Sequence, residues 1–357
     1  MKRVALKDLQ KDVVINQNLY DPRFNILVQR GTVLNDKMLE ALSYYGYLSI
    51  FVKTENEKND EHPSLPYEEI NALIKLIKNA EIEFTTYYSK RQHANAISHY
   101  KKYIEKRDLF VQKSQRLAED IILYLVKNQI RIYQIFESKS LKLYGTQHAI
   151  QTALLSVLMG IDLKLTMQEL KILFNSAIMM EFGNIIIPKS ILEKQGRLTT
   201  EEFEFVKAHT AFYSKEFNDC DKMHYLVRIV TQQHHERFNG SGYPLGLKKH
   251  EIHPLAQIMM VADTYDALVS DRNQREALSV IEALDYLTEQ IQITFHELPV
   301  VTLKRIIYPY RVGDQVKLNI GLGTIESFDQ HHNPLVRLQN LNKTVLLHPS
   351  NNIKILM

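Results

Sequence analysis

The sequence predicts a mainly α protein, with a small α/β module at its N-terminal end and a small all-β module at its C-terminal end. Three observations carry that prediction. Between Pro66 and Ser138 glycine and proline are almost absent and apolar residues recur at helical spacing, a pattern that resumes beyond Tyr144. Ahead of it, short β-type runs alternate with turn formers and a single helix. After Pro309 the pattern changes to short alternating strands between Gly, Asn, Asp and Pro turns. The chain accordingly divides into an α/β module at 1–53, a linker at 54–65, a helical region at 66–138, an all-helical domain at 139–308 and a β-barrel-like module at 309–357.

A chain of 357 residues has room for about two or three domains, and a hydrophobic share of 45% supplies them with cores. Net charge is +3, from 44 basic against 41 acidic residues. So even a balance argues against nucleic acid or an acidic membrane as a main partner. One cysteine, Cys220, excludes an internal disulfide framework and fits a reducing compartment; a buried small residue is its expected state. Met1-Lys2-Arg3 is followed by alternating polar residues, not by an apolar signal core. The longest helical apolar stretch, Ala149 to Ile161, contains Gln, Thr and Ser and is too short to span a bilayer. The expectation is a cytoplasmic protein with no membrane span.

In the first module Val13-Val14-Ile15 and Ile26-Leu27-Val28 read as short strands, separated by the turn formers Asn16, Asn18, Asp21 and Pro22. Thr32 to Asn35 leads into a helix from Asp36 to Tyr45, and Leu48 to Lys53 reads as a further strand. No ligand-like cluster occurs here, so a scaffold or interaction module is expected. The linker from Thr54 to Leu65 is polar and charged. In the helical region Ile70, Leu73, Ile74 and Ile77, then Leu117, Ile121, Ile122 and Leu125, mark apolar faces. The tyrosines and lysines between Tyr87 and Tyr103 allow a nucleic-acid surface or a solvated helix face, and acids on either side of the run fit the second at least as well.

Gln147-His148 opens the next helix, with an apolar face at Ala149, Ala153, Leu154, Val157 and Leu158. Thr166 with Glu169 has capping-box spacing; the helix it starts runs through Leu170, Leu173, Phe174 and Ala177 to Met179-Met180-Glu181-Phe182-Gly183-Asn184. A strand-like turn follows at Ile185-Ile186-Ile187-Pro188. Thr199 with Glu202 forms a second capping box, and its helix carries Lys207-Ala208-His209. Then comes His234-His235-Glu236-Arg237-Phe238-Asn239-Gly240-Ser241-Gly242-Tyr243-Pro244-Leu245-Gly246-Leu247, two histidines running into a glycine-rich, proline-stopped loop. A helix later carries an acid into an apolar run, Val261-Ala262-Asp263-Thr264-Tyr265-Asp266-Ala267-Leu268. Histidine with carboxylate is the ligand set of transition metals such as Fe, Mn or Zn. Taken singly, each reads by default as a surface histidine before a turn or, for Asp263, as a helix-capping or salt-bridging acid. Their concentration in one short segment favours the metal.

The order of these residues closely resembles the HD-GYP family, a branch of the HD metal-dependent phosphohydrolases. The two motifs are present nearly letter for letter, and Ser270-Asp271-Arg272 to Arg275 continues the match, which covers roughly residues 140 to 300. The resemblance implies an all-helical HD-type domain with divalent ions, iron or manganese, in its core. It places one ion at His148, Met180, Glu181 and Asp263, and the other at Glu181, His209 and His234, with His235 near it. Three positions depart from the family pattern Leu-His-Asp-x-Gly-Lys: Met180 stands for the histidine, Glu181 for the aspartate and Asn184 for the lysine. Glu181 keeps a carboxylate that can bridge. Met180 offers a neutral, soft thioether, poorly matched to iron(II) or manganese(II). Asn184 removes a positive charge that would stabilise a phosphoryl transition state. The expectation is a single occupied site around Glu181, His209, His234 and His235.

The rest of the motif is intact. Arg237 suits a phosphate in its fork geometry, Gly240 and Gly242 permit close backbone approach, and Tyr243, before Pro244, offers a ring for stacking on a base. A plain structural turn is the alternative reading of this loop. The resemblance implies cyclic di-GMP or a related cyclic dinucleotide as ligand and a protein partner at the Gly-Tyr-Pro loop, and it is compatible with a homodimer. Two functions stay open: a cyclic di-GMP phosphodiesterase weakened at Met180, Glu181 and Asn184, or an inactive relative serving as dinucleotide sensor or signalling scaffold. In the last module Val312 to Leu318, Gly323-Thr324-Ile325, Leu335 to Leu338 and Val345-Leu346-Leu347 read as strands. His331-His332-Asn333-Pro334 reads as a solvated hairpin tip.

Overall fold

A computed structural model of the chain describes residues 2–9, 12–23, 25–53, 67–90, 96–128, 138–192, 194, 196–272, 275–307, 313, 315–328, 334–341, 343–347 and 355–356. The predicted linker and His331 to Asn333 lie outside them. The fold is mainly helical, with a small α/β module at one end of the sequence and a β-sheet module at the other.

The first module holds β1 (Lys2–Ala5), β2 (Leu19–Tyr20), β3 (Ile26–Val28), α1 (Asp36–Tyr44) and β4 (Ser49–Val52). β1, read from sequence as a polar start, pairs antiparallel with β4. Val13 to Ile15 is no strand; Val14 and Ile15 make only isolated bridges to Val33 and Val52. Asn35 caps α1 by accepting from the Met38 amide. Ile15, Leu19, Leu34, Leu42 and Ile50 form a separate small core.

Two long helices follow, α2 (Tyr67–Lys90) and α3 (Ala96–Lys127). They share one hydrophobic cluster with the helices after them. Tyr103 is buried at 4% exposure and stacks on Tyr87 at 4.0 Å. These rings therefore belong to packing, and the solvated-face reading fails for them: Phe84 and Phe110 close over the same spot.

α4 (Tyr144–Asp162) is the central helix, buried without a break over residues 146–160. It packs against α2, α3, α5 (Met167–Met179), α9 (Pro254–Leu268) and α11 (Glu297–Ile306). A helix enclosed all round reads as apolar throughout its length, which is why its few polar side chains stand out. The Thr166–Glu169 capping box forms as predicted and fixes where α5 starts. α5 ends at Met179, and residues 182–186 make a 3-10 turn where a strand-like turn was expected. A short helix, α6 (Lys189–Leu192), leads to α7 (Thr200–Glu216), whose entry is held by Thr199 and Glu202 as predicted. α8 (Tyr225–Gln233) and α10 (Val280–Glu289) complete the bundle. Cys220 is buried, as expected.

The C-terminal strands β5 (Gln315–Leu318), β6 (Gly321–Phe328), β7 (Pro334–Leu338), β8 (Thr344–Leu346) and β9 (Ile355–Leu356) form one sheet in the order β8-β7-β6-β5-β9. Its apolar face carries Val316, Leu318, Ile325, Val336 and Leu338. Among the described residues the sheet is open, with β8 and β9 at its edges, so the expected barrel closure is not seen. Among them, too, no helix is long and apolar enough to cross a membrane.

The N-terminal module is tied to the bundle at two places. Arg3 and Ser49 both bond Asp271, at 2.6 and 2.5 Å. The Leu141 amide donates to the Gly46 carbonyl at 3.0 Å, beside a Ser140 hydroxyl that donates to Tyr45 at 2.5 Å.

Candidate metal centre

Three imidazoles meet where α7 and α8 approach. His209 lies within α7, His234 caps the C-terminal end of α8, and His235 follows it. Each offers a ligand atom within 4.8 Å of the other two. His209 and His234 are buried, at 3% and 0% exposure. Both donate Nδ1–H to a carbonyl of their own helix, His209 to Val206 at 2.6 Å and His234 to Thr231 at 2.5 Å. Those bonds put the ring protons on Nδ1, which leaves the Nε2 lone pairs facing each other at 3.4 Å. Burial, then the neighbouring His209, pushes the His234 pKa down to about 4. Burial and the His234 ring hold His235 well below its ordinary value. His234 and His235 are therefore neutral near pH 7. Two facing lone pairs on buried imidazoles suit a cation, and a fixed Nδ1 bond is how metal-binding histidines are usually oriented. The donor set fits a divalent metal.

The second group sits opposite. His148 of α4 bonds Asp263 of α9 through Nε2 at 2.8 Å and Asp266 through Nδ1 at 2.6 Å. Asp266 takes a further bond from Lys139 at 2.5 Å, and the same ammonium reaches the Ser270 hydroxyl at 2.6 Å. Burial alone would lower the His148 pKa, but the bonds to Asp263 and Asp266 and their charges push it up to about 9. Burial would raise Asp263; the bond to His148 and its charge outweigh that and hold the carboxyl well below its usual range. Tyr144 stacks on the His148 ring at 5.2 Å, and its hydroxyl accepts from Arg272 Nε at 2.8 Å.

Glu181 lies beside the second group and outside the imidazole trio. Its Oε1 is 3.9 Å from His148 Nε2, and its charge acts on His234 together with that of Asp263. Asn184 donates its side-chain amide to Glu181 Oε2. Met180 is fully enclosed in the core, at 0% exposure. Gly183 lies against α7: a Cβ there would stand 2.1 Å from the His209 carbonyl oxygen, so no side chain fits. Of the six residues predicted as ligands, His209, His234 and His235 come together as an imidazole trio, while His148, Asp263 and Glu181 form a neighbouring His-carboxylate group in which both ring nitrogens of His148 are bonded to carboxylates.

The Gly-Tyr-Pro loop lies against the imidazole trio through Tyr243. Glu236, fully buried, accepts the amides of Leu245 at 2.7 Å and Leu247 at 2.9 Å and so ties the loop back on itself. A Cβ on Gly242 would lie 2.3 Å from the Arg237 amide nitrogen. Gly240 adopts φ +84°, and the Tyr243–Pro244 peptide is cis. Tyr243 lies 4.8 Å from the His235 ring. One terminal nitrogen of Arg237 is committed to the Glu236 carbonyl at 2.9 Å, so the fork expected for phosphate is partly spent on backbone.

Four residues escaped the sequence reading: Asp266, Lys139, Glu236 and Tyr144. Asp266 had a usable signal, since it lies three residues after Asp263 and shares its helix face. Glu236 sits inside the recognised motif but reads there as an ordinary polar residue. Lys139 and Tyr144 carry no local signal.

The HD domain model matches residues 132–293. With the Gly-Tyr-Pro loop and its imidazoles in place, the branch is decided. Residues 132–293 are an HD domain of the HD-GYP type. A cyclic di-GMP phosphodiesterase of Pseudomonas aeruginosa is 28% identical over 62% of this chain and 53% of its own length. The cyclic di-GMP phosphodiesterase response regulator RpfG of Xanthomonas campestris is 37% identical over 36% of the chain and 34% of its own length. A 3'3'-cGAMP-specific phosphodiesterase of Vibrio cholerae is 28% identical over 42% of the chain and 32% of its own length. The chain therefore matches about half the length of the first relative and about a third of the other two.

Proposed function

We propose that this HD-GYP protein is a metal-dependent phosphodiesterase of a cyclic dinucleotide, cyclic di-GMP first, and that its turnover is slow. The observation that carries the reading is the pair of buried Nε2 atoms of His209 and His234, facing each other 3.4 Å apart with His235 beside them. His209, His234, His235 and Glu181 would hold one divalent ion, iron or manganese. Bound there, a divalent ion supplies Lewis-acid polarisation of a phosphoryl oxygen and lowers the pKa of a water. The relatives' names support the substrate class, two naming cyclic di-GMP and one 3'3'-cGAMP.

The protein's own groups do the remaining work in this reading. Asp266, backed by Lys139, fixes the His148 ring, which holds a proton against Asp263. Arg272, anchored on Tyr144, keeps a permanent positive charge that acts on Asp263 and Glu181. Tyr243 and Pro244 shape the substrate side, with the backbone of Gly240 and Gly242 close to it. A protein partner at the Gly-Tyr-Pro loop would meet Leu245, which is 59% exposed. The lone cysteine supports a cytoplasmic setting.

Two observations favour the second reading, a sensor or scaffold. Met180 places a buried thioether where the family has an imidazole, and Asn184 is spent on Glu181. Elemental analysis beside a cyclic di-GMP hydrolysis assay separates the two. The expected result is about one ion per chain and turnover well below the ~1–1,000 per second typical of enzymes. The triple variant Met180→His, Glu181→Asp, Asn184→Lys should gain metal and rate together. Metal content unchanged in a His209→Ala, His234→Ala variant would sink the assignment of the centre.

A further inference from the structure

Beside the candidate centre the rings continue outward. His234 and His235 lie 4.0 Å apart, His235 and Tyr243 4.8 Å, and Tyr243 and Phe203 5.9 Å. The last pair meets edge to face, at 82°. Phe203 is exposed at 42%, on the face of α7 turned away from the core. Lys207, one turn further along α7, holds its ammonium 5.0 Å from the Phe203 ring and 5.9 Å from the Tyr243 ring. Its carboxylate partner, Glu204, is itself 62% exposed, so a ligand anion can displace it at little cost.

We infer that Phe203 and Lys207 form a second recognition wall of the pocket, the ring stacking on a purine of the ligand and the ammonium meeting the phosphate away from the reacting one. The inference rests on the cyclic-dinucleotide reading above and adds to it the residues that hold the outer half of the molecule. Three features meet here. The ring ladder joins this wall to the imidazole cluster without a gap. α7, which supplies His209, also supplies Phe203 and Lys207, so the wall and the centre are rigidly related. A phenylalanine left in water beside a cation offers what a nucleotide needs, since stacking tolerates any base and the charge takes its backbone.

Binding of cyclic di-GMP to the metal-loaded full chain, measured by calorimetry, tests it. Phe203→Ala should bind roughly tenfold more weakly, with metal content and melting temperature unchanged because the ring is exposed. Phe203→Tyr should restore binding to within about twofold. Lys207→Met should weaken binding at low salt, and the difference should shrink as added salt screens the charge. Binding by Phe203→Ala within twofold of the unmodified protein overturns the wall while leaving the proposed function standing. Loss of metal along with binding in Phe203→Ala also overturns it, by making the ring structural. No binding of cyclic di-GMP by the unmodified, metal-loaded chain removes the proposed function and this inference together.

Discussion

Single atoms decide how the centre is held. The pocket depends on one carbonyl of α7 coming close to the turn after α5, and Gly183 is what permits it. A methyl group there would sit 2.1 Å from the His209 oxygen, with backbone and not a flexible side chain as its neighbour. Gly183→Ala should therefore cost about 1–3 kcal/mol of stability, as overpacking does, and displace His209. Chemical denaturation gives the first number, and metal content should fall with it. An alanine variant with unchanged stability and metal would show that α7 is free to shift. The three departures from the family pattern also belong to this scale. Met180 exchanges a nitrogen donor for sulfur within the core, and Asn184 exchanges a cation for an amide that bonds Glu181. Each was legible from the sequence once the motif was aligned. That Asn184 takes Glu181 as its partner was not, since it follows from the 3-10 turn that sets residues three apart side by side, and a strand-like turn was expected there.

At the scale of elements, helix starts were the most readable feature. Both capping boxes, Thr166–Glu169 and Thr199–Glu202, form where their spacing places them, because a cap is satisfied by residues within one turn of itself. The turn at 182–186 was misread. Ile185-Ile186-Ile187 has strand-like composition, but among the described residues no partner strand lies alongside, so the local 3-10 bonds win. The Gly-Tyr-Pro loop is an element organised by one side chain. Glu236 is fully buried and accepts two loop amides. Glu236→Gln should replace one acceptor by a donor facing an N–H, at a cost of about 1–3 kcal/mol. The expected readout is faster amide exchange at Leu245 and Leu247 with the exchange of α4 unchanged. Equal protection in the variant would show that the loop's glycines and proline hold its shape unaided.

Across the whole molecule, the described residues gather into three hydrophobic clusters: the N-terminal module, the helical bundle and the C-terminal sheet. The first is clasped to the second through Asp271, which binds Arg3 and Ser49 and also accepts the Ala277 amide at 3.0 Å. The clasp lies one residue from Arg272, and the other tie, at Ser140 and Leu141, lies beside Lys139. Both ties thus end next to groups that support the centre from behind. Asp271→Ala should cost about 1.5–3 kcal/mol, the range for hydrogen bonds to a charged group, and speed amide exchange over the N-terminal module more than over α4. Uniform exchange in both would mean that the module is held by its other contacts.

What the sequence determined by itself is whatever rests on spacing along the chain: the HD-GYP resemblance, the capped helices and the run of helices with strands at either end. Helical periods, caps and motifs are local, and a reader of residues meets them intact. The tertiary structure alone decided which nitrogen of each imidazole faces the pocket, that Lys139 stands behind Asp266 from 127 residues away, and that Phe203 closes on Tyr243. Those facts depend on how helices distant in sequence pack and on which side-chain conformations the packing leaves, and no spacing along the chain records either.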